Sequence, residues 1–572
     1  MIRQDLDHDR VCASTARHLL VTAPPGTGKT FLAIRLAGRL APQLPRGSRI
    51  LVLTFSNQAR TQLEREAARQ LPPDLRKSLE ITNYHRFFWR GVLAYRRALA
   101  LPMDLDVGSR KRRVQAIRKV VGNKVIRPLE KLPGLVESLA EHRYPDFRDH
   151  RTPAPHILRQ LMSVVEGEHK AGRLVFDDLG ALFWHVLDRF PSVDRAYRER
   201  FPAVIADEHQ DASALQDAIV RRFGRWKLVV FADPMQLIHG FRGATEERLA
   251  AHREDCCEKL SLSTPHRWHG NERLGDWLLA VRARLLGKQR SCSAPIELRI
   301  RTTSSQYGFN AVKARVKHAV GDAFRNGVQS VAVLALANGQ VAMLRHYLCR
   351  EGFRPRQIGS ADFEDARAEI EDLPWLSDPQ SMANRALDRI EELVPTLRRH
   401  ALHQARERLH ADRVNLHRVG TDARLLLEPL SILYEHGASR YFETVVKVVT
   451  AAQDRGHHVP RMESLRALQR TADALAGSQP DLEEAISQYS RDVTAATHAA
   501  PRTRRGLFVM TAHQAKGKEF ECVVLADASA KLFPDNYAGR RLFYVAITRA
   551  SKRWEIIAPD EGASPLLACL RK

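Results

Sequence analysis

The sequence predicts an α/β protein in which buried parallel strands alternate with helices in two separate series. Short apolar runs that do not alternate with polar residues recur along the chain, as in strands covered by helices on both faces. Each series is also interrupted by a long stretch without such runs, which we expect to be a mainly helical insertion. The 572 residues are enough for several hydrophobic cores.

The first strand-like run, Leu19–Val21, leads through a Gly-rich loop directly into an amphipathic helix. This order forms a phosphate-binding loop, because backbone N–H groups and the helix N-terminus both point toward a bound anion. We expect Lys29 to contact the β- and γ-phosphates of a nucleotide and the Thr30 hydroxyl to ligate Mg²⁺. The loop consists of Ala23, Pro24, Pro25, Gly26, Thr27, Gly28, Lys29 and Thr30, with Ala23 in place of the first motif glycine.

The first series continues on both sides of its insertion. We expect a polar helix from Asn57 to about Gln70, and mostly helical chain without further strands from about Gly91 to Arg200. The remaining runs are Arg49–Phe55, Ile81–His85 (leading into a helix at Arg86), Ala203–Ala206 and Lys227–Ala232.

The second series is expected to begin near Leu260. Its insertion spans about Ser360 to Ala500, where the pattern is helical, rich in Arg and His, and low in Gly. The expected elements are Ser330–Ala335, a helix over Asn338–Arg350, Leu507–Thr511, Cys522–Ala526 and a last strand near Trp554–Ala558.

Two adjacent carboxylates follow the strand Ala203–Ala206. Ligands of parallel sheets bind at the carboxyl ends of the strands, where these side chains are delivered. Asp207 is placed to hold Mg²⁺, and Glu208 to orient and deprotonate an attacking water. Asp-Glu after a strand is common by itself, but together with the phosphate-binding loop it indicates nucleoside triphosphate hydrolysis.

Charge and cysteine content restrict the partners and the compartment. Lys and Arg exceed Asp and Glu by 24, which favours a polyanionic partner over a merely cationic surface. Residues 108–131 hold nine Lys or Arg, a density that favours phosphate contact over a solvated basic face. The seven scattered cysteines form no metal-binding spacing, no apolar stretch is long enough to span a membrane, and the start is no signal peptide. We therefore expect a cytoplasmic protein.

Eight motifs follow one another over nearly the whole chain, and they read TAPPGTGKT, LTFSNQA, TNYHRF, ADEHQD, ADPMQLIHGFRGA, TPHRW, MTAHQAKGKEF and RRLFYVAITRA. Their order and wording resemble those of the UvrD/Rep-like branch of superfamily 1 helicases. The resemblance implies two RecA-like P-loop NTPase lobes, with ATP between them and single-stranded DNA across the top. The implied domains are a first lobe (1–90 and 201–258) with a helical accessory insertion (91–200), and a second lobe (259–358 and 504–572) with another (359–503).

The resemblance also implies roles for residues at the nucleotide. Gln236 would sense the γ-phosphate, and Arg267 and Arg549 would act as arginine fingers beside Glu208. Glu519 would contact the ribose, while Lys516 and Gly517 would help to close the site. ATP and Mg²⁺ are the implied cofactors, with Thr30 and Asp207 at the metal.

For DNA, matching to the family points to rings that stack on bases and polar groups that bind phosphate. Such contacts are independent of base sequence. For Phe55 and Phe241 the alternative is ordinary core packing. The implied DNA-binding residues are Phe55, Asn57, His85, His239, Phe241, Arg242 and His513.

The sequence departs from the family at the nucleotide base and in one DNA motif. Arg10 stands where a glutamine usually reads adenine, Phe31 replaces an arginine, and His266 replaces a tyrosine. Phe31 and His266 can still stack on a purine, so we expect a relaxed nucleotide preference. His239 and Phe241 replace Tyr and Trp, which predicts weaker base stacking.

The leading interpretation is an ATP-dependent DNA helicase and translocase that moves 3′→5′ on single-stranded DNA and acts at junctions with duplex. An alternative is a DNA-stimulated or DNA-sensing ATPase that supports a separate nuclease, as in anti-phage defence, without processive unwinding. A third, an NTP-gated DNA-binding protein with little hydrolysis, conflicts with the intact Glu208, Gln236, Arg267 and Arg549. We expect any nuclease or repair partner to be a separate polypeptide, no membrane partner, and association with the nucleoid.

Overall fold

A computed structural model describes most of the chain in two compact units. The first unit comprises Met1–Val328 and Ala515–Lys572, and the second comprises Gln329–Gln514. The described residues are 6–103, 105–108, 113, 116–117, 155–238, 246–269, 271–304, 308–355, 379–394, 396–397, 399–410, 413–417, 419–436, 440–457, 459, 465, 468–469, 472 and 506–571.

A six-stranded parallel sheet forms the centre of the first unit, with strand order β3-β2-β6-β7-β1-β8. Strands β2, β6 and β7 at its centre are buried along their whole length, which is why they read as nearly continuous apolar runs. All carboxyl ends lie on one edge of this sheet because every pairing is parallel. The strands are β1 (His18–Thr22), β2 (Ile50–Thr54), β3 (Leu79–Asn83), β6 (Ala203–Ala206), β7 (Lys227–Ala232) and β8 (Glu258–Ser261).

The first unit also contains a second run of parallel strands, in the order β12-β13-β9. One expectation was wrong: the strand near Leu260 does not open this series but pairs with β1 in the six-stranded sheet. The residues of a strand do not show which of two parallel sheets the strand will join. The strands are β9 (Leu298–Thr303), β12 (Phe520–Leu525) and β13 (Ala550–Pro559).

Helices cover these strands, and a small parallel pair lies within the expected helical insertion. Strands β4 (Asp106–Gly108) and β5 (Arg173–Val175) correct the expectation of no strands there, since three-residue strands are too short to show a period. The helices are α1 (Leu6–Ala13), α2 (Lys29–Leu40), α3 (Asn57–Gln70), α4 (Pro73–Lys77), α5 (Tyr84–Ala94), α6 (Pro155–Lys170), α7 (Phe176–Arg189), α8 (Pro191–Arg200), α9 (Ala214–Phe223), α10 (Glu246–Asp255), α11 (Glu272–Leu285), α12 (Gly308–Arg325), and, C-terminal, Tyr537–Ile547 and Ala568–Arg571.

The second unit combines a parallel strand pair with a helical core. Strand β10 (Ser330–Ala335) pairs in parallel with β11 (Gly506–Thr511), and Asn338–Arg350 follows as a helix, as expected. Four helices supply most of a buried apolar cluster whose members lie between Met382 and Ala472. These helices are Pro379–Leu393, Arg399–Glu407, Thr421–His436 and Tyr441–Asp454.

The predicted fold class is confirmed: parallel strands occur in two series, with helices around them. Most strands end within one or two residues of the expected bounds, and the helix expected at Arg86 begins at Tyr84. The earlier start follows from Asn83, whose side chain caps the helix by accepting a hydrogen bond from the backbone N–H of Arg86 at 2.8 Å. The domain boundaries drawn from the sequence stay a prediction.

Candidate nucleotide and DNA site

The Gly-rich loop connects β1 to α2 in a conformation that only glycine adopts readily. Gly26 and Gly28 have φ of 79° and 77°. The Thr27 hydroxyl donates to the Pro24 carbonyl at 2.8 Å, and the Ala23 N–H donates to the Ala232 carbonyl at 3.0 Å. The loop is thereby fixed to the end of β7, with the N-terminus of α2 beginning at Lys29.

Lys29 and Glu208 form a direct ion pair in the first unit. Burial by itself would lower the pKa of Lys29, but Glu208, Asp207 and Asp233 outweigh it and raise that pKa. Burial would likewise raise the pKa of Glu208, yet Lys29 and Lys516 lower it to about 2. The two groups are therefore charged, and each compensates the other.

Asp207 has the surroundings of a metal ligand. Its Oδ1 atom is buried and makes no hydrogen bond within the described part of the chain. Burial and the adjacent Glu208 carboxylate both disfavour its charged form and raise its pKa to about 7. An unsatisfied carboxylate oxygen of this kind fits Mg²⁺, which prefers oxygen ligands. Thr30 lies in the first turn of α2, one residue after Lys29.

Glu208 belongs to a hydrogen-bonded chain that runs along the sheet edge. Gln210 donates to Glu208 at 2.6 Å and accepts from the Asp233 N–H at 3.0 Å. Gln236 donates to Asp233 at 3.0 Å, and its amide oxygen faces Arg549 at 3.4 Å. The chain therefore connects the ends of β6 and β7 with Arg549, the residue that directly precedes β13. Gln210 was not singled out from the sequence, although it stands within the quoted motif ADEHQD.

A second arginine, Arg267, packs directly on the loop. Its N–H donates to the Gly26 carbonyl at 3.0 Å, and its guanidinium donates to the Thr548 carbonyl at 2.8 Å. The same guanidinium pairs with Glu519, which the resemblance places at the ribose. The two predicted arginine fingers thus lie in the same neighbourhood, since Thr548 directly precedes Arg549.

Lys516 connects the site to the segment before β12. Its ammonium pairs with Asp211 and donates to the Gln236 carbonyl at 2.6 Å. Gly517 follows with φ of 76°, so the chain turns sharply at this point. Lys516 therefore lies beside Asp211, and the role of Lys516 and Gly517 in closing the site stays a prediction.

Three rings gather at the start of α2, one more than expected. Phe31 and His266 each contact His8 of α1, with ring centroids 6.0 Å and 5.0 Å apart. His8 is buried, and its Nε2 donates to the Thr27 carbonyl at 2.9 Å. Arg10, by contrast, is exposed on the same helix. The residue of α1 that contacts the loop is therefore His8, which no motif pointed to.

The predicted DNA contacts in the first unit lie at the ends of β2 and β3, which are neighbours. Phe55 is half-buried, and its ring lies 4.8 Å from that of Tyr84. His85 follows Tyr84, with its ring 5.5 Å from Phe176. Phe176 is 39% exposed. Phe176 was not predicted from the sequence, because neither its exposure nor its contact with the distant His85 follows from the residues around it.

The remaining predicted DNA contacts are placed only in part. Asn57 begins α3, and His513 follows β11 in the second unit. His239, Phe241 and Arg242 lie outside the described residues.

Most of the basic run 108–131 also lies outside the described residues, and its one described cation is not a surface charge. Arg113 is buried and donates to both carboxylate oxygens of Asp178, at 3.1 and 2.7 Å. The prediction of phosphate contact is therefore wrong for Arg113. Among the helices in the described ranges, none combines the length and apolarity that crossing a bilayer requires.

Comparison with known proteins gives the same family from both halves of the chain. The UvrD/REP helicase N-terminal domain matches residues 6–256, and the UvrD-like helicase C-terminal domain matches residues 388–560. These two domains agree with two RecA-like lobes.

Individual relatives are similar at low identity. ATP-dependent DNA helicase PcrA of Staphylococcus aureus is 23% identical over 94% of this chain and 81% of its own length. ATP-dependent DNA helicase UvrD1 of Mycobacterium leprae is 25% identical over 47% of this chain, and that of Mycobacterium bovis 26% over 62%. The matches span 38% and 49% of those two relatives, less than half of each. From the two domain matches, the chain belongs to the UvrD/REP helicase family.

Proposed function

We propose that the chain is an ATP-dependent DNA helicase that moves 3′→5′ along single-stranded DNA and couples ATP hydrolysis to duplex unwinding. One observation carries the proposal: Lys29, Glu208 and Gln236 lie in connected contacts that end on Arg549, all within one unit. These supply the cation, carboxylate, polar sensor and guanidinium that phosphoryl transfer requires. The relatives named as ATP-dependent DNA helicases support the same activity.

The ion pair between Lys29 and Glu208 gives ATP binding a direct consequence for catalysis. The β- and γ-phosphates would compete with Glu208 for the Lys29 ammonium, because both are anions that seek the same cation. Glu208 would then be released to orient a water and accept its proton. Arg267 and Arg549 would stabilise charge on the transferring phosphoryl group.

Asp207 and Thr30 would hold Mg²⁺, in keeping with the unsatisfied Oδ1 atom of Asp207. The ion, when bound, neutralises phosphate charge and orients the triphosphate. Gln236 would report the state of the γ-phosphate along the sheet edge, since it faces Arg549 through one end of its amide and Asp233 through the other.

Single-stranded DNA would cross the ends of β2 and β3. Phe55, His85 and the exposed Phe176 offer rings on which bases of any kind can stack. The strand order β3-β2-β6-β7-β1 puts this edge beside the nucleotide groups on β6, β7 and β1. The formal net charge of +24 favours a polyanion of this kind. We place the protein in the cytoplasm, on nucleoid DNA.

Base recognition would be relaxed, because Phe31, His266 and His8 present ring faces while Arg10 is exposed. Turnover with ATP, GTP, CTP and UTP tests this hypothesis. Arg10→Ala should weaken the affinity for every nucleotide equally. A strict requirement of the wild-type protein for ATP would contradict it.

The decisive experiment measures ATP turnover of the full chain with and without a single-stranded oligonucleotide, followed by unwinding of duplexes with a 3′ or a 5′ tail. We expect strong stimulation by DNA and unwinding from the 3′ tail. Lys29→Ala, purified in parallel, controls for contaminating ATPases. Stimulation without unwinding would favour the DNA-sensing ATPase that supports a separate nuclease, and turnover indifferent to DNA would contradict both.

A further inference from the structure

A chain of buried polar side chains connects the end of β3 to the residue after Glu208. The Tyr84 hydroxyl lies 3.1 Å from His209 Nδ1, and His209 Nε2 lies 2.9 Å from Asp217 Oδ1. His252 Nε2 contacts the same carboxylate oxygen at 2.5 Å, and His18 Nε2 lies 3.0 Å from His252 Nδ1. Tyr84, His209, Asp217 and His252 are all at least nine-tenths buried.

Only one arrangement of donors satisfies every contact in this chain when its histidines are neutral. Asp217 is an acceptor, so both histidines donate to it from Nε2 and keep Nδ1 as an acceptor. Tyr84 must then donate its hydroxyl proton to His209, and His18 must donate to His252. Arg221 donates to the other carboxylate oxygen of Asp217 at 2.9 Å. Every group has a partner, so the set is rigid.

His209, Asp217 and His252 also present the donor types of a metal site. The distances between their ligand atoms favour hydrogen bonds over a bound metal ion. Ligand atoms about 2 Å from one ion stand roughly 3.3 Å apart in a tetrahedral site. The ring nitrogens here lie 2.9 and 2.5 Å from the Asp217 oxygen, which are hydrogen-bond distances.

The position of His209 in the chain gives this cluster a consequence for the reaction. Glu208, directly before it, has φ of 54° and ψ of 32°, a left-handed conformation that is unfavourable for a residue with a side chain. Fixing the His209 ring at two points fixes the peptide that follows Glu208. Tyr84 makes one of those points, and it immediately precedes His85 and contacts Phe55, both at the proposed DNA edge.

We infer that the contacts from Tyr84 through His209 to Asp217 and His252 are a positioning relay, which couples DNA at the ends of β2 and β3 to the left-handed backbone of Glu208. The inference rests on the proposed function. DNA that shifts or steadies the Tyr84 ring acts through one hydrogen bond on His209, and thereby on the carboxylate that faces the attacking water.

The test uses Tyr84→Phe, which removes the hydroxyl and keeps the ring that packs on Phe55 and Phe88. The readout is the ratio of kcat with a single-stranded oligonucleotide to kcat without it. We expect Tyr84→Phe to lower this ratio about three- to tenfold, the range that one hydrogen bond supports, with ATP KM and oligonucleotide Kd unchanged. Tyr197→Phe is the matched control, because it removes a hydroxyl from an aromatic cluster of the same unit outside the relay.

His209→Phe completes a double-mutant cycle and should abolish the effect of Tyr84→Phe, whereas independent sites would add. His209→Gln keeps a donor for Asp217 and should recover part of the kcat that His209→Phe loses.

Equal stimulation of Tyr84→Phe and wild type would overturn the relay, as would a stoichiometric transition metal in the purified protein that His209→Phe removes. If wild-type turnover ignores DNA, the proposed function fails and the relay's coupling role fails with it. If DNA stimulates the wild-type protein normally but the effects of Tyr84→Phe and His209→Phe add, the relay is overturned and the proposed function stands.

Discussion

The guanidinium of Arg549 lies 3.4 Å from the amide oxygen of Gln236. Arg549 is almost fully buried, and burial, followed by the nearby Arg267, lowers its pKa to about 10. It remains a cation at neutral pH, held by the carbonyl of Val545 at 2.9 Å and the hydroxyl of Thr548 at 2.8 Å. A desolvated cation beside the proposed γ-phosphate sensor is suited to stabilise charge that develops in the reaction.

Arg549→Lys should lower DNA-stimulated kcat by about 10³-fold or more, the range known for arginine fingers. A lysine keeps the charge but cannot reach Gln236, Thr548 and Val545 together. Steady-state turnover measures kcat, and a fluorescent nucleotide measures binding, which should fall much less. Lys552→Ala, which removes an exposed cation on β13, should leave both unchanged. A kcat within tenfold of wild type for Arg549→Lys would contradict a direct role.

Lys29→Ala and Glu208→Gln should separate binding from hydrolysis. Lys29→Ala removes the cation that faces the phosphates and should abolish turnover while leaving DNA affinity largely intact. Glu208→Gln keeps Lys29 available to phosphate and should bind ATP but hydrolyse it about 10²- to 10⁴-fold more slowly, as expected for loss of a general base. A filter assay for retained ATP distinguishes the two. Normal turnover in both variants would place the site elsewhere.

Gly26→Ala should abolish ATP turnover because its new methyl group has no room. A Cβ at this position would lie 2.7 Å from Trp268 and 2.8 Å from Arg267. Gly47→Ala is the matched control: Gly47 has φ of 86°, but nothing lies within 4 Å of its Cβ position. Both variants should lose about 1 kcal/mol of stability through backbone strain. Only Gly26→Ala should also lose nucleotide affinity, because only its Cβ collides with neighbouring side chains. Equal turnover of the two variants would show that the loop tolerates displacement.

The buried pair of Arg113 and Asp178 should give a stability that depends on pH. Burial would raise the pKa of Asp178, but its bonds to His169, Arg113 and the Val175 N–H lower it instead. A lowered carboxyl pKa stabilises the fold above the unfolded value of about 4, and this contribution is lost as pH falls through the folded value.

Asp178→Asn should therefore destabilise α7 by about 3–5 kcal/mol at pH 7, because Arg113 stays buried without its counter-charge. Hydrogen exchange over Phe176–Arg189 measures the opening free energy. The difference from wild type should shrink as pH falls below about 4. Asp188→Asn, an exposed change on the same helix, should cost less than about 0.5 kcal/mol. A difference that persists unchanged into acid would contradict the ion pair as its cause.

The elements that carry chemistry could be predicted from the sequence because each is marked by a short run of consecutive residues. The loop before Lys29, the carboxylates after Ala206 and most buried strands follow from spacing and apolar runs alone. Three-residue strands such as Arg173–Val175 are too short for a period to appear. The second series was expected to begin near Leu260, but the strand Glu258–Ser261 pairs with β1, and the order of strands in a sheet is decided by topology.

The amino-acid sequence by itself determined the α/β class, the phosphate-binding loop, the carboxylate pair and the family, since each is written in consecutive residues. Only the tertiary structure decided which distant residues meet. It brought His8 onto the loop, Phe176 beside His85, and Tyr84, Asp217 and His252 around His209. In the same cluster, one hydrogen bond joins His18 and His252, which lie 234 positions apart in the sequence. Such contacts depend on how parallel strands are ordered in the sheet, which no short stretch of sequence encodes.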